Sequence, residues 1–324
     1  DIAKEFDLEA VRMFMLGAQY RSPINFSREM IEQAKASLDR LYTARDHYLF
    51  LLQNAKDGDL GEKELALMEK VKAARDPARP TATDYINSIF AAFTEMHGDR
   101  RYSDDGAVVT GLALLGSMPV TVIGLEKGHD IKERVARNFG CAHPEGYRKA
   151  LRQMKLAEKF RRPVVCFVDT SGAYCGIGAE ERGQAQAIAE NLYEMSALKT
   201  PILSVFIGEG GSGGALGLAV ADEVWMTENA VYSVISPEGC ASILWKDPAK
   251  VADAAECLKM TAADLYGLGV VDRILLETGG DSVVFSTLKV LLARKLRALC
   301  AVDPDELVRA RYNRFRAFGD FLTL

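Results

Sequence analysis

Gly208-Glu209-Gly210-Gly211-Ser212-Gly213-Gly214-Ala215-Leu216 follows the apolar, β-branched run 201–207 and precedes the small-residue run 216–221. Strand, glycine turn and helix start are the expected elements. Five glycines in seven positions leave the backbone bare, so its N–H groups can come close to a ligand. The first N–H groups of a helix also lack an internal partner and carry the positive end of its dipole. Two readings fit the stretch alone. It is an anion or oxyanion site, or it is a tight turn whose glycines serve packing.

The pattern also occurs upstream. The apolar run 163–168 leads into Asp169-Thr170-Ser171-Gly172-Ala173-Tyr174-Cys175-Gly176-Ile177-Gly178, with a helix expected over 179–198. Two such turns can line one cleft, because open sheets bind ligands beyond the carboxyl ends of their strands. Neither has the lysine of a phosphate loop, and the dinucleotide fingerprint fails for want of its acidic residue. His47, His97, His129 and His143 each read as surface or structural histidines. Ser212 lacks the nucleophile-elbow order, and Cys175 reads as packing or a chance substitution rather than as a reactive thiol. What is left is chemistry that needs donors to an oxyanion and no fixed side-chain base.

The chain of 324 residues allows one large domain or two. Hydrophobic residues at 48% and charged residues at 26% are ordinary for a globular protein. A net charge of -5 argues against nucleic acid as the expected ligand. No apolar run reaches bilayer-spanning length. Six cysteines without a CxxC pair give no zinc spacing and point to a cytoplasmic setting. The start, Asp1-Ile2-Ala3-Lys4-Glu5, has no initiator Met or signal-peptide pattern and reads as a fragment or a cut. Periodicity predicts helices over 8–16, 27–54 and 62–74, with a break at 56–61, and another over 84–96. A hairpin of strands 108–115 and 119–125 turns at Gly116-Ser117, and a helix over 144–160 carries a basic face with Arg148, Lys149 and Arg152. Strands over 223–226, 231–235 and 270–276 and helices over 282–300 and 303–318 complete a buried α/β sheet.

From Arg75 onward the residues resemble the alpha subunit of the bacterial-type acetyl-CoA carboxylase carboxyltransferase. The resemblance rests on His97-Gly98-Asp99-Arg100, Arg137-Asn138-Phe139-Gly140, Pro144-Glu145-Gly146-Tyr147-Arg148-Lys149-Ala150 and Gly172-Ala173-Tyr174. It continues through Gly178-Ala179-Glu180-Glu181-Arg182-Gly183-Gln184, the 207–216 turn and Ser233-Val234-Ile235-Ser236-Pro237-Glu238-Gly239-Cys240. The family implies a crotonase-like α/β spiral of ββα units. It implies carboxyl transfer from carboxybiotin, held on a separate biotin carboxyl carrier protein, to acetyl-CoA, giving malonyl-CoA. A beta subunit with a zinc ribbon would supply the acetyl-CoA side, in an α2β2 heterotetramer, and this chain would hold no metal and no covalent biotin.

On that reading Gly213 and Gly214 would donate backbone N–H groups to the biotin ureido oxygen. Gly172, Ala173, Tyr174, Gly176, Gly178, Gly210, Gly211, Ser212, Ser236, Pro237, Glu238 and Gly239 would line the site. Arg148, Lys149 and Arg152 would meet CoA phosphates or the carrier. The biotin nitrogen would take the acetyl proton, so no side-chain base is needed. The family's Thr-Pro-Gly-Ala-Tyr-Pro-Gly stands here as Thr170-Ser171-Gly172-Ala173-Tyr174-Cys175-Gly176, and losing two prolines is expected to free the loop.

Residues 1–60 resemble something else. Leu16-Gly17-Ala18, Tyr20-Arg21-Ser22-Pro23-Ile24-Asn25-Phe26-Ser27 and Gln33-Ala34-Lys35-Ala36 are similar to the part of cysteinyl-tRNA synthetase after its signature loop. The expected organisation is this helical segment, a junction over 61–80, the carboxyltransferase domain over 81–300 and a C-terminal helix over 301–324. A stand-alone crotonase-like acyl-CoA hydrolase or decarboxylase, and a non-catalytic fusion with tRNA-binding helices, are the alternatives.

Overall fold

The computed structural model describes residues 62–319. The helices expected over 8–16 and 27–54, and the synthetase-like segment with them, lie outside the described residues. The order is α1 (Glu62–Ala74), α2 (Ala82–Ile89), β1 (Ala91–Glu95), β2 (Val108–Leu115), β3 (Met118–Leu125), α3 (Ile131–Ala136), α4 (Pro144–Lys159) and β4 (Val164–Thr170). Then come α5 (Ile177–Glu181), α6 (Gln184–Ala197), β5 (Ile202–Gly211), α7 (Ser212–Leu216), β6 (Glu223–Thr227), β7 (Val231–Ser233) and α8 (Pro237–Cys240). The last are α9 (Val251–Leu258), α10 (Ala262–Gly267), β8 (Arg273–Leu275), α11 (Asp281–Cys300) and α12 (Pro304–Arg316).

One sheet runs β1-β2-β3-β4-β5-β6-β8, with β7 pairing the far end of β5. The β1–β2 and β2–β3 pairs are antiparallel; β3 onward is parallel. The central strands are buried on both faces, and their alternation sorts side chains into two layers. Val164, Cys166, Val168, Ile202 and Phe206 pack under α4, α6 and α7. Val165, Phe167, Leu203, Val205 and Ile207 pack against α2 and α11. The expected hairpin forms, turning at Gly116 with φ 64°.

Two local expectations change. The helix read over 84–96 stops at Ile89, and Ala91–Glu95 becomes an edge strand paired with β2. Ladder hydrogen bonding overrides helix propensity there. The helix read over 179–198 breaks in two at Gly183, whose φ of 83° suits glycine. The helix start read after the second glycine turn forms as the short α7, which ends at Leu216.

Candidate active site

Both glycine turns sit at the carboxyl ends of neighbouring parallel strands, with Thr170 of β4 paired to Gly210 of β5. The turns touch backbone to backbone. A Cβ on Gly211 would run into the Ser171 carbonyl, and one on Gly214 would lie 2.5 Å from Ala173 N and 2.6 Å from Gly172 C. At Gly208 it would meet the Asp169 carboxylate, and at Gly210 the Phe206 ring. Packing therefore requires four of the five glycines. Gly213 differs: its nearest neighbour, the Ile188 side chain, is 3.8 Å away.

The short helix α7 begins just there. The N–H groups of its first turn have no helical carbonyl to meet; Gly213 is half-buried and Gly214 buried. Side chains below fix α7 in place. Tyr147 Oη donates to Gly214 O at 3.2 Å, Asn191 Nδ2 to Gly217 O at 3.0 Å and Ser204 Oγ to Leu218 O at 2.6 Å. Ser212 sits at φ 52°, a conformation that costs a non-glycine residue free energy.

The 171–176 loop is tied down despite its missing prolines. Thr170 Oγ1 donates to Gly172 O and accepts from Gly172 N, at 2.8 and 3.1 Å. Ser171 Oγ lies 3.3 Å from Cys141 Sγ. Tyr174 N donates to Ala142 O at 3.0 Å. The Tyr174 ring stacks on His143 with centroids 4.1 Å apart, and it fills the space a Gly176 Cβ would take. Gly178 borders Arg182.

Behind the turns runs a chain of alternating charges that sequence reading missed. Arg75, following α1, donates to Glu238 Oε1 at 2.6 Å and to Glu209 Oε1 at 2.7 Å. Lys127, after β3, reaches Glu209 Oε2 at 2.9 Å and Asp169 Oδ1 at 2.7 Å. Glu209 N donates to Asp169 Oδ1 at 2.8 Å. Burial opposes ionisation of Glu209, but Lys127 and Arg75 outweigh it and hold the carboxyl below its ordinary range. Burial pushes Asp169 upward even beside Lys127. The available signal was a lone acid ending an apolar strand, Asp169, and another inside a glycine run, Glu209.

The 236–239 residues join the same edge. β7 pairs with 209–211 of β5, Ser236 Oγ caps α8 by accepting from Gly239 N at 3.1 Å, and Glu238 is the end of the charge chain. A cavity of about 290 Å³ beside the turns is lined by Arg75, Lys127, Arg134, Asp169, Ser171 and Glu209.

The basic residues of α4 are placed differently, packed on the 97–105 loop. Lys149 is fully buried and donates to Asp104 Oδ1 at 2.6 Å and Asp105 O at 2.7 Å. Arg148 Nε donates to Asp99 Oδ2 at 2.8 Å, and Arg152 to the carbonyls of Gly98 and His97 at 3.1 and 3.0 Å. Arg148 and Arg152 also line a surface groove with Arg101, Lys155 and Lys159. Among the described residues no cluster of His, Cys, Asp or Glu is arranged to hold a metal ion, and no helix is long and apolar enough to cross a membrane.

Comparison with known proteins agrees with the motifs. Residues 32–319 match the family model described as acetyl co-enzyme A carboxylase carboxyltransferase-like. The chain is 65% identical over 256 residues to the acetyl-coenzyme A carboxylase carboxyl transferase subunit alpha of Ruminiclostridium cellulolyticum, covering 79% of this chain and 98% of that one. Against the same-named subunit of Streptococcus pyogenes serotype M5 it is 58% identical over 249 residues, covering 76% and 97%.

Among solved structures, the transcarboxylase 12S hexamer core overlays with a TM-score of 0.56 at 19% identity, over 68% of this chain and 44% of that one. A Pseudomonas malonate decarboxylase hetero-tetramer in complex with coenzyme A overlays at 0.55 and 16%, over 67% and 89%. These share the mixed α/β, crotonase-like fold. With the family model spanning most of the chain and the subunit relatives matched over nearly their whole length, the chain belongs to the acetyl-CoA carboxylase carboxyltransferase family, among its alpha subunits.

Proposed function

We propose that this chain provides the carboxybiotin half of a carboxyltransferase site that moves a carboxyl group to acetyl-CoA, giving malonyl-CoA. The observation that carries it is the open backbone at Gly213 on a turn otherwise locked by packing. The donor set fits the group: the first-turn N–H groups of α7 have no helical carbonyl to meet, while the nearby carboxylates of Asp169 and Glu209 are engaged by Lys127 and Arg75. Carboxybiotin, when bound, supplies an activated carboxyl group and a ureido oxygen that gains negative charge as that group leaves. The Gly213 and Gly214 N–H groups hold that oxygen, and preorganised donors of this kind are worth roughly 10²–10³ in rate each. The loop residues Gly172, Ala173, Tyr174, Gly176 and Gly178, with Gly210, Gly211, Ser212 and 236–239, shape the wall around it.

The partners are a beta subunit carrying the acetyl-CoA side, in an α2β2 assembly, and the biotin carboxyl carrier protein, in the cytoplasm. Of the basic residues on α4, Arg148 and Arg152 border the groove open to CoA phosphates or the carrier; the Lys149 ammonium is turned inward. We propose residues 1–60, by their resemblance to cysteinyl-tRNA synthetase, as an appended segment joined through 61–80 to the domain 81–300 and the last helix. The family match starts at residue 32, so both resemblances claim the later half of that segment.

The test is to combine the full chain with a carboxyltransferase beta subunit and follow malonyl-CoA-dependent carboxylation of free biotin. Activity that falls in the Gly213→Pro variant is expected. No carboxyl transfer by the unmodified pair would overturn the reading.

A further inference from the structure

We infer that Gln184 is a positioning residue: its buried side-chain amide latches the 171–176 loop, and through that loop sets the place of the donor turn. The inference rests on the function proposed above.

Gln184 is the first residue of α6, just after the left-handed turn at Gly183, and is 4% exposed. Its Nε2 donates to Ala142 O at 2.7 Å and to Tyr174 O at 3.0 Å. Ala142 O also accepts from Tyr174 N at 3.0 Å. One amide therefore bridges the chain before α4 and the middle of the glycine loop. Gln184 Oε1 is buried and accepts from no described group, so the side chain is held by its donor end alone. A polar group is kept inside the core for its two N–H bonds, not for a satisfied pair.

The latch reaches the donor turn in two steps. Holding Tyr174 fixes Ala173 and Gly172, the backbone on which Gly214 rests. The ring of Tyr174, 38% exposed, is clasped between His143 and Gly176. With Ser171 and Cys175 in the loop, no proline narrows its conformations, so the Gln184 amide works beside the Thr170 hydroxyl and the Tyr174 N–H to Ala142 O bond in holding it. A site whose groups are misplaced by an ångström loses rate without losing its fold.

Cys175 is exposed on this loop and serves as a built-in reporter. The experiment compares Gln184→Leu and Gln184→Glu with the unmodified chain. In the full chain alone, the rate of maleimide labelling at Cys175 is read by peptide mass spectrometry, beside the thermal midpoint. In the complex with a beta subunit, kcat and both KM values are read for carboxylation of free biotin by malonyl-CoA.

Labelling several-fold faster, kcat lower by roughly 10- to 100-fold and an unchanged KM for malonyl-CoA are expected. Adding Ser171→Pro to Gln184→Leu should recover part of both losses. Labelling that does not change in either variant overturns the latch. So does faster labelling with unaltered turnover, which would leave Gln184 a merely structural tie. If the unmodified complex transfers no carboxyl group, the proposed function fails, and the labelling still decides whether Gln184 holds the loop.

Discussion

Tyr147 reaches from the core of α4 to the Gly214 carbonyl, 3.2 Å away, and so anchors the turn from beneath. Burial pushes the phenol's pKa far above its ordinary value, so it remains a neutral donor across working pH. Tyr147→Phe leaves that carbonyl without its side-chain donor in a dry interior. The expected cost is about 1–3 kcal/mol in unfolding free energy, read by urea denaturation, together with lower turnover. Unchanged stability and turnover would show that the turn needs no anchor.

Gly213 and Gly214 are expected to respond oppositely to a methyl group. Gly213→Ala finds 3.8 Å of room, keeps its N–H and should leave activity within a few-fold. Gly214→Ala meets Ala173 N at 2.5 Å and must push two loops apart, with loss of turnover. Gly213→Pro removes the donor itself, for which roughly 10²–10³ in kcat is expected. Equal activity for all three variants would contradict the donor assignment.

Lys127 stands between two acids that both need it. Lys127→Met leaves Asp169 and Glu209 facing each other without their shared cation, a loss of about 3–5 kcal/mol for a broken buried pair. Lys127→Arg retains the charge and should fare much better. Guanidinium unfolding of the two variants is the measurement.

His129 gives the fold a mild pH dependence. Its pKa is raised, first by the hydrogen bond from its ring to Asp84 at 2.8 Å. Folding favours the protonated ring, so this stabilisation is fully present below the ordinary histidine pKa and fades as pH rises through the raised one. Solvent screening at this exposed site limits it to about 0.5 kcal/mol. The difference in thermal midpoint between the unmodified chain and His129→Gln should shrink on going from about pH 5 to pH 9. A difference that grows over this range would reverse the sign.

Sequence reading found what repeats or alternates. The two glycine turns, the hairpin and α4 were visible because spacing alone carries them. The resemblance, not periodicity, attached a ligand to the turns. Ala91–Glu95 was missed because two alanines and a phenylalanine follow a true helix, and only pairing with β2 makes them a strand. The break at Gly183 was missed because the residues on either side are good helix formers. Lys149 read as part of a basic face, yet its burial depends on Asp104 and Asp105, far away in the chain. The Arg75–Glu209–Lys127–Asp169 chain joins the ends of two strands to two connecting segments, and no local window holds more than one of its members.

That charge chain fixes where the catalytic body can be cut. Arg75 lies after the last residue of α1, and it alone links Glu209 to Glu238 among the described residues. Deleting through it strips a guanidinium from the site and, with α1, the buried Val71 and Ala74 that pack against Val231 of β7. The working boundary of the enzyme is thus set by this cation together with the buried Val71 and Ala74 of α1, which pack against Val231, Ala255 and Met260. A graft point is therefore expected to be tolerated only ahead of α1, where neither that arginine nor the Val71 and Ala74 packing is lost.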